Sequence, residues 1–285
     1  MADGPGLGGP RDQSGSGPVG GEKHSVRQID PRTYHPGYNI AEEGSLANRF
    51  WVSWSRLIRR QGPGRAIKTL EEVLLTYALY SAAHGGRKFG VGDKELDYLN
   101  RPLNTERIVE VPFALDRVRR YLTPRGRCLE VGNVLNVWAP FPHDIVDKYE
   151  WRPGVINEDI SEYVVPVPYD LIVSVSTLEH VGFDEPQKDP DKPRRAIQNL
   201  FVRSLKSGGH CVITFPLGYN PQMDRLLNEP PLGNGEVHVL RRISSTNLWK
   251  EIERPDVANL PQELTFDRGR FYGVNAVALC DVTKS

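Results

Sequence analysis

The chain has 285 residues, 36 Lys+Arg against 36 Asp+Glu, and 39% hydrophobic residues. That suits one α/β domain with extensions, or two small domains, and a net charge of zero excludes a global attraction to nucleic acid or anionic lipid. No apolar run reaches the ~18 residues of a membrane helix and no signal-peptide core opens the chain, so the expectation is a cytoplasmic protein with no membrane insertion and no nucleic-acid partner.

Residues 1–22, MADGPGLGGPRDQSGSGPVGGE, are dominated by Gly, Pro and Ser and are predicted to be a disordered tail. Residues 23–104 are predicted to be an N-terminal helical extension. It opens with turn signals at Asp30-Pro31 and His35-Pro36-Gly37. A helix over 45–60 follows, with Ser45 as N-cap and Leu46, Phe50, Trp54, Leu57 and Ile58 on one side. After the break at Gln61-Gly62-Pro63-Gly64 a second helix runs from 66 to Gly85-Gly86, and a linker reaches 104. Such a helical hairpin could lid a site or form a homodimer. Arg56, Arg59, Arg60 and Arg65 form a basic cluster, a pattern that more often marks a solvated helix face than a phosphate site.

Residues 105–285 are predicted to form one α/β domain. A helix over 105–122 leads into short apolar runs: RCLEVG (127–132), DIVDKY (144–149), GVINEDI (154–160), YDLIVSVS (169–176), HCVITFPL (210–217) and NAVALCDV (275–282). The fifth follows a helical stretch, RRAIQNLFVRSLKSGG, and the last is expected to pair near 264–272. Strands alternating with helices imply an α/β, doubly wound, mostly parallel sheet. The crossover after the first strand contains VWAPFPH, with two prolines, and is expected to be truncated. The polar segment 218–242, with Tyr219, Asn220, His238 and Arg241, is expected to be an acceptor loop or lid. Cys128, Cys211 and Cys280 are isolated in apolar runs and read as buried thiols in a reducing compartment; no metal-ligand spacing is present.

Ligands of such sheets bind beyond the carboxyl ends of the strands, where strand order reverses. The residues ending the runs are therefore the candidates: Glu130 and Gly132, then Asp147, Asp159, Ser174 and Ser176. Gly132 permits a tight turn, and an acid after the second strand can hold a ribose diol. Asp147 lies 15 residues beyond Gly132, short of the usual crossover. The positions after Gly132 are Asn133, Val134, Leu135 and Asn136, where a glycine loop would continue. Either the asparagines supply polar contacts, or they and Leu135 close the pocket.

The series CLEVG, VDKYE, INEDI, YDLIVSVSTLEHVGF and LKSGGHCVITFPLG resembles the motif ladder of class I S-adenosylmethionine-dependent methyltransferases, and VGN-V-L-N resembles a bacterial subgroup associated with glycan or secondary-metabolite gene clusters. The resemblance covers about residues 120–218. It implies a Rossmann-like fold and S-adenosyl-L-methionine as cofactor. Glu130, Gly132 and Asn133 would lie on the methionine side, Asp147 on the ribose, Asp159 and the Ile160 backbone at the adenine, and Ser174 beneath the methionine. It implies O-methylation of a small molecule or glycan intermediate, with His180, Glu179 or His143 as candidate bases. The altered glycine pattern also suits a non-catalytic scaffold or regulatory subunit of the same fold. It argues against a nicotinamide-dependent oxidoreductase, whose pyrophosphate needs close backbone N–H groups.

Overall fold

The computed structural model describes residue 75 and residues 78–99, 105–139, 141–271 and 273–285. The predicted tail, the helix over 45–60, the arginine cluster and most of the second helix lie outside them. Residues 78–84 are helical and stop at Gly85-Gly86, where the Gly85 N–H donates to Ser81 O at 2.7 Å and Gly86 adopts φ +67°. The linker predicted to follow is instead a hairpin. Strands β1 (Lys88–Val91) and β2 (Lys94–Asp97) pair antiparallel around Gly92-Asp93, and Phe89 and Val91 face inward.

Helix α1 (Arg107–Tyr121) precedes β3 (Cys128–Val131), β4 (Asp144–Val146), β5 (Val155–Ile156) and β6 (Tyr169–Val175). Then come α2 (Lys192–Asn199), β7 (Leu205–Pro216), α3 (Pro221–Leu226), β8 (Glu236–Arg242), β9 (Trp249–Ile252) and β10 (Ala276–Thr283). Strands β3 to β10 form one sheet in the order β5-β4-β3-β6-β7-β10-β8-β9. The first five are mutually parallel, β10 runs antiparallel to both its neighbours, and β9 is antiparallel to β8. The architecture is the predicted one, an α/β doubly wound, mostly parallel sheet.

Side-chain alternation along the strands builds two cores. Ile172, Cys211, Ile213, Phe215, Ala278 and Cys280 pack on one face with Ala196 and Ile197 of α2 and Met223 of α3. Leu171, Val173, Val175, Val212, Val277 and Leu279 pack on the other with Ile108, Val111 and Phe113 of α1 and Phe89 of β1. All three cysteines are buried and unpaired. Among the described residues no helix is long and apolar enough to cross a membrane, and no group of three His, Cys, Asp or Glu residues could hold a metal.

Three expectations are corrected. Segment 218–242 is not a loop: it contains α3 and the sheet strand β8, so His238 pairs with Leu279 in register and Arg241 with Ala276. Among the described residues, 264–271 contain no strand; β10 pairs with β8 and β7. Strand β7 begins at Leu205, so helix α2 and the π turn Leu200–Ser204 end earlier than predicted. The first crossover is truncated as expected, with only a 3-10 turn at Leu135–Val137 among its described residues.

Candidate active site at the switch between β3 and β6

The chain moves outward from β3 to β4 and β5, then returns to place β6 on the other side of β3. The loops leaving β3 and β6 consequently diverge and open a crevice at their carboxyl ends. A cleft of about 610 Å³ lies there. Gly132 and Asn133 line it from the β3 loop, and Asp147 to Glu150 from the β4 loop. Asp159 and Ile160 follow β5, and Ser176, Thr177, His180, Asp184 and Glu185 follow β6.

Gly132 is required twice. Its φ is +85°, and a Cβ there would stand 2.3 Å from Thr177 Oγ1. This close approach joins the β3 and β6 loops at the cleft floor. The turn beyond it hangs on Glu130, which is fully buried: its Oε1 accepts the backbone N–H groups of Val134 at 2.7 Å and Leu135 at 2.6 Å. Its Oε2 meets His143 Nε2 at 2.8 Å, while His143 Nδ1 meets Phe141 O at 2.7 Å. Both imidazole nitrogens thus face acceptors, Phe141 O and Glu130 Oε2. Leu135 is buried in the core and does not enter the cleft. The missing glycines are thus replaced by a carboxylate that fixes the loop from behind.

Around the cleft, Asp147 Oδ1 accepts from Tyr149 N at 2.8 Å and Glu150 N at 2.9 Å. Its Oδ2 accepts no hydrogen bond among the described residues, leaving one oxygen for a diol. Asp159 lines the cleft but is committed elsewhere. Oδ1 accepts Ser161 N and Oγ, and Oδ2 meets Lys148 Nζ at 2.8 Å and Lys192 Nζ at 2.6 Å. Burial works to raise its carboxyl, but these donors hold it far below the usual range. Glu185 joins the same lysines, bringing the β6 loop against the β5 loop. Asn133 presents the opposite situation: its Oδ1 is shielded from solvent and accepts nothing among the described residues.

His180 lines the cleft with a half-exposed side chain. Its Nδ1 bonds to Asp184 Oδ2, which also accepts from Tyr219 OH at 2.6 Å. Burial raises the Asp184 carboxyl, yet the bonds from Tyr219 and His180 outweigh it and hold the group below its ordinary range. A carboxylate on Nδ1 puts the imidazole proton there and leaves Nε2 as the basic nitrogen. This is the arrangement of a general base with an orienting acid.

The structure therefore gathers Gly132, Asn133, Asp147, Asp159, Ile160 and His180 around one cleft. Four other candidates stand behind it. Glu130 and His143 brace the loop, Ser174 is buried within β6 with an unpaired hydroxyl, and Glu179 is buried with neither oxygen bonded among the described residues. Asp184, Lys148 and Arg107 line the cleft without having been picked out from sequence. Asp184 could have been found as the acid four residues after His180. Arg107 carried no signal, because α1 precedes the first sheet strand by several residues.

No family model and no curated protein matches the chain. Among solved structures it is similar to the N-methyltransferase NodS of Bradyrhizobium japonicum WM9 in complex with S-adenosyl-l-homocysteine. The two are 14% identical over 64% of this chain and 92% of that one, with a TM-score of 0.37. It is also similar to an S-adenosylmethionine-dependent methyltransferase of Clostridium acetobutylicum, at 13% identity, 62% and 91% coverage and a TM-score of 0.33. A third is an S-adenosylmethionine-dependent methyltransferase of Thermotoga maritima, at 15% identity, 78% and 97% coverage and a TM-score of 0.34. Likeness of this degree assigns no activity to this chain.

Proposed function

We propose that the chain is an S-adenosylmethionine-dependent methyltransferase that methylates an oxygen of a small molecule or glycan intermediate. The observation that supports this most is one cleft holding both a donor-type wall and a base. Gly132, Asn133 and Asp147 line one side, and the His180–Asp184 pair lines the other.

The donor fits the residues present. Asn133 Oδ1 lacks a hydrogen-bond donor that an ammonium N–H would supply. Asp147 Oδ2 is available to a ribose hydroxyl, and Gly132 lines the cleft while letting Thr177 pack where a Cβ would stand. Because Asp159 is saturated by Lys148, Lys192 and Ser161, we assign it to holding the β5 loop, and the Ile160 backbone remains for the adenine edge. When bound, the sulfonium supplies an activated methyl group. A methyl donor has no pyrophosphate, so a loop braced by Glu130 suffices where a dinucleotide enzyme needs further glycines.

The chain's own part in catalysis is positioning and proton removal. Asp184 keeps the His180 proton on Nδ1, and His180 Nε2 takes the proton of the acceptor hydroxyl. Tyr219 OH holds Asp184 in place. Calorimetric titration with S-adenosylmethionine and S-adenosylhomocysteine tests the reading, followed by His180→Asn. Binding of both ligands that survives His180→Asn, with methyl transfer reduced about 100-fold or more, is expected. No heat with either ligand at millimolar concentration overturns it.

A further inference from the structure

Two carboxyl groups lie concealed behind the cleft wall nearest β6. Glu110, on α1, is fully buried, and its Oε1 accepts from Ser176 Oγ at 2.6 Å. Its Oε2 has no hydrogen-bond partner among the described residues and lies 3.9 Å from an Arg107 nitrogen. Glu179 is also buried, with neither oxygen hydrogen-bonded among the described residues; His180 Nε2 stands 3.6 Å from its Oε1. Ser176, Arg107 and His180 all line the cleft. Each acid is therefore a single side chain behind the surface a ligand would touch.

Ser176 has φ +40°, in the left-handed region that residues with a Cβ rarely adopt. Several bonds hold it there. Its N–H donates to Thr214 O at 2.9 Å, and Arg107 donates to Val175 O at 2.6 Å and to Ser176 O at 3.3 Å. Its hydroxyl proton goes to Glu110, so the lone pairs of Oγ remain for other contacts. Helix α1 thus fixes a strained residue at the cleft through Arg107 and Glu110 together.

We propose that Glu110, acting through Ser176 and beside Glu179, is a positioning residue that makes the cleft prefer a sulfonium to the corresponding neutral thioether, and that this preference rises as Glu110 ionises. The inference rests on the methyl-donor reading above. S-adenosylmethionine and S-adenosylhomocysteine differ by one methyl group and its positive charge. A wall of protonated acids distinguishes them weakly, whereas one buried negative charge acts on the cation and not on the thioether.

Burial pushes Glu110 up to about 7, against the pull of Arg107. Burial also pushes Glu179 well above the ordinary carboxyl range, and the nearby Glu110 adds to it. Two such acids do not readily ionise together, so a rise of pH through neutrality places one charge behind Ser176. The groups facing Glu110 are Glu106 and Arg107 of its own helix, Ser176 and Glu179 after β6, and Thr214 of β7; His180 adjoins Glu179. The cationic donor is then held more firmly than the neutral product, which favours product release.

The test is calorimetric titration of the full chain with S-adenosylmethionine and with S-adenosylhomocysteine, at about pH 6 and about pH 8. In the wild type the preference for S-adenosylmethionine should increase on the order of tenfold between those values. Glu110→Gln should leave the ratio of the two affinities flat. Ser176→Ala should move the rise to higher pH, since the hydroxyl no longer stabilises the ionised carboxylate. A flat ratio in the wild type overturns the proposal, as does a rise that persists in Glu110→Gln. If Glu110→Gln does not fold, Ser176→Ala decides, and an unshifted rise overturns it. Failure of the wild type to bind either ligand overturns the methyl-donor reading beneath; binding of both with a flat ratio overturns this proposal alone.

Discussion

Gly132 persists where the rest of a glycine loop is gone because its φ of +85° and the 2.3 Å approach of Thr177 Oγ1 both forbid a Cβ. Gly132→Ala should lower unfolding stability by about 2–3 kcal/mol and weaken donor binding at least as much, checked by thermal unfolding and titration of the same variant. Titration of buried acids gives a second expectation. Burial pushes Glu110 up to about 7, and burial pushes Asp224 up to about 7 although the Gly218 N–H opposes it. Both bind their protons more tightly in the fold than in the unfolded chain. Their contribution to stability is complete below the unfolded carboxyl range and is lost as pH rises through about 7. Asp159, held low, acts oppositely, and its contribution disappears only in strong acid. The melting temperature should therefore be higher near pH 5 than near pH 8 by about 5 °C, and Asp224→Asn should shrink that difference.

At the scale of elements, the loop after β3 and the loop after β6 are held by different devices. Glu130 braces the first with two backbone N–H groups and His143. Glu130→Ala should weaken donor binding about tenfold or more without removing any group that touches the ligand, because the Val134 and Leu135 amides lose their shared acceptor. A titration showing unchanged affinity in the folded variant would refute that role. The second loop is clamped by Lys192, Glu185, Asp159 and Lys148. Lys192 is nearly buried, so Lys192→Met leaves Asp159 and Glu185 to share the more exposed Lys148 alone and should cost about 2 kcal/mol in chemical unfolding. Glu130 illustrates how far sequence reasoning reaches. Its place at a strand end was legible, but its partners depend on how a truncated crossover folds back. His238 was misread as a loop residue because EVHVLRR looks polar; the hairpin β1–β2 and Glu251 cover its polar side, and His238 meets Glu236 and Glu251 at 2.8 and 2.6 Å. The hairpin itself did leave a signal in KFGVGDKELD, a two-residue Gly-Asp turn between short strands.

For the whole molecule, strand periodicity carried the fold because both faces of the sheet are covered and each strand reads as an apolar run. The cleft followed from strand order, which brings the ends of β3, β4, β5 and β6 together. What remained out of reach were contacts from α1, since nothing in RIVEV tells that Arg107 and Glu110 meet the end of β6. A scaffold with a closed pocket would have Asn133, Leu135 or Trp138 filling this space; Leu135 and Trp138 lie outside the lining, and Asn133 stands in the wall of a cleft of about 610 Å³. The measurement that tests the account most directly is titration with S-adenosylhomocysteine, comparing wild type with Asp147→Ala. The account predicts micromolar binding to the wild type, about tenfold or more weaker in a folded Asp147→Ala. No binding to the wild type at millimolar ligand, or equal affinity in both proteins, would contradict it.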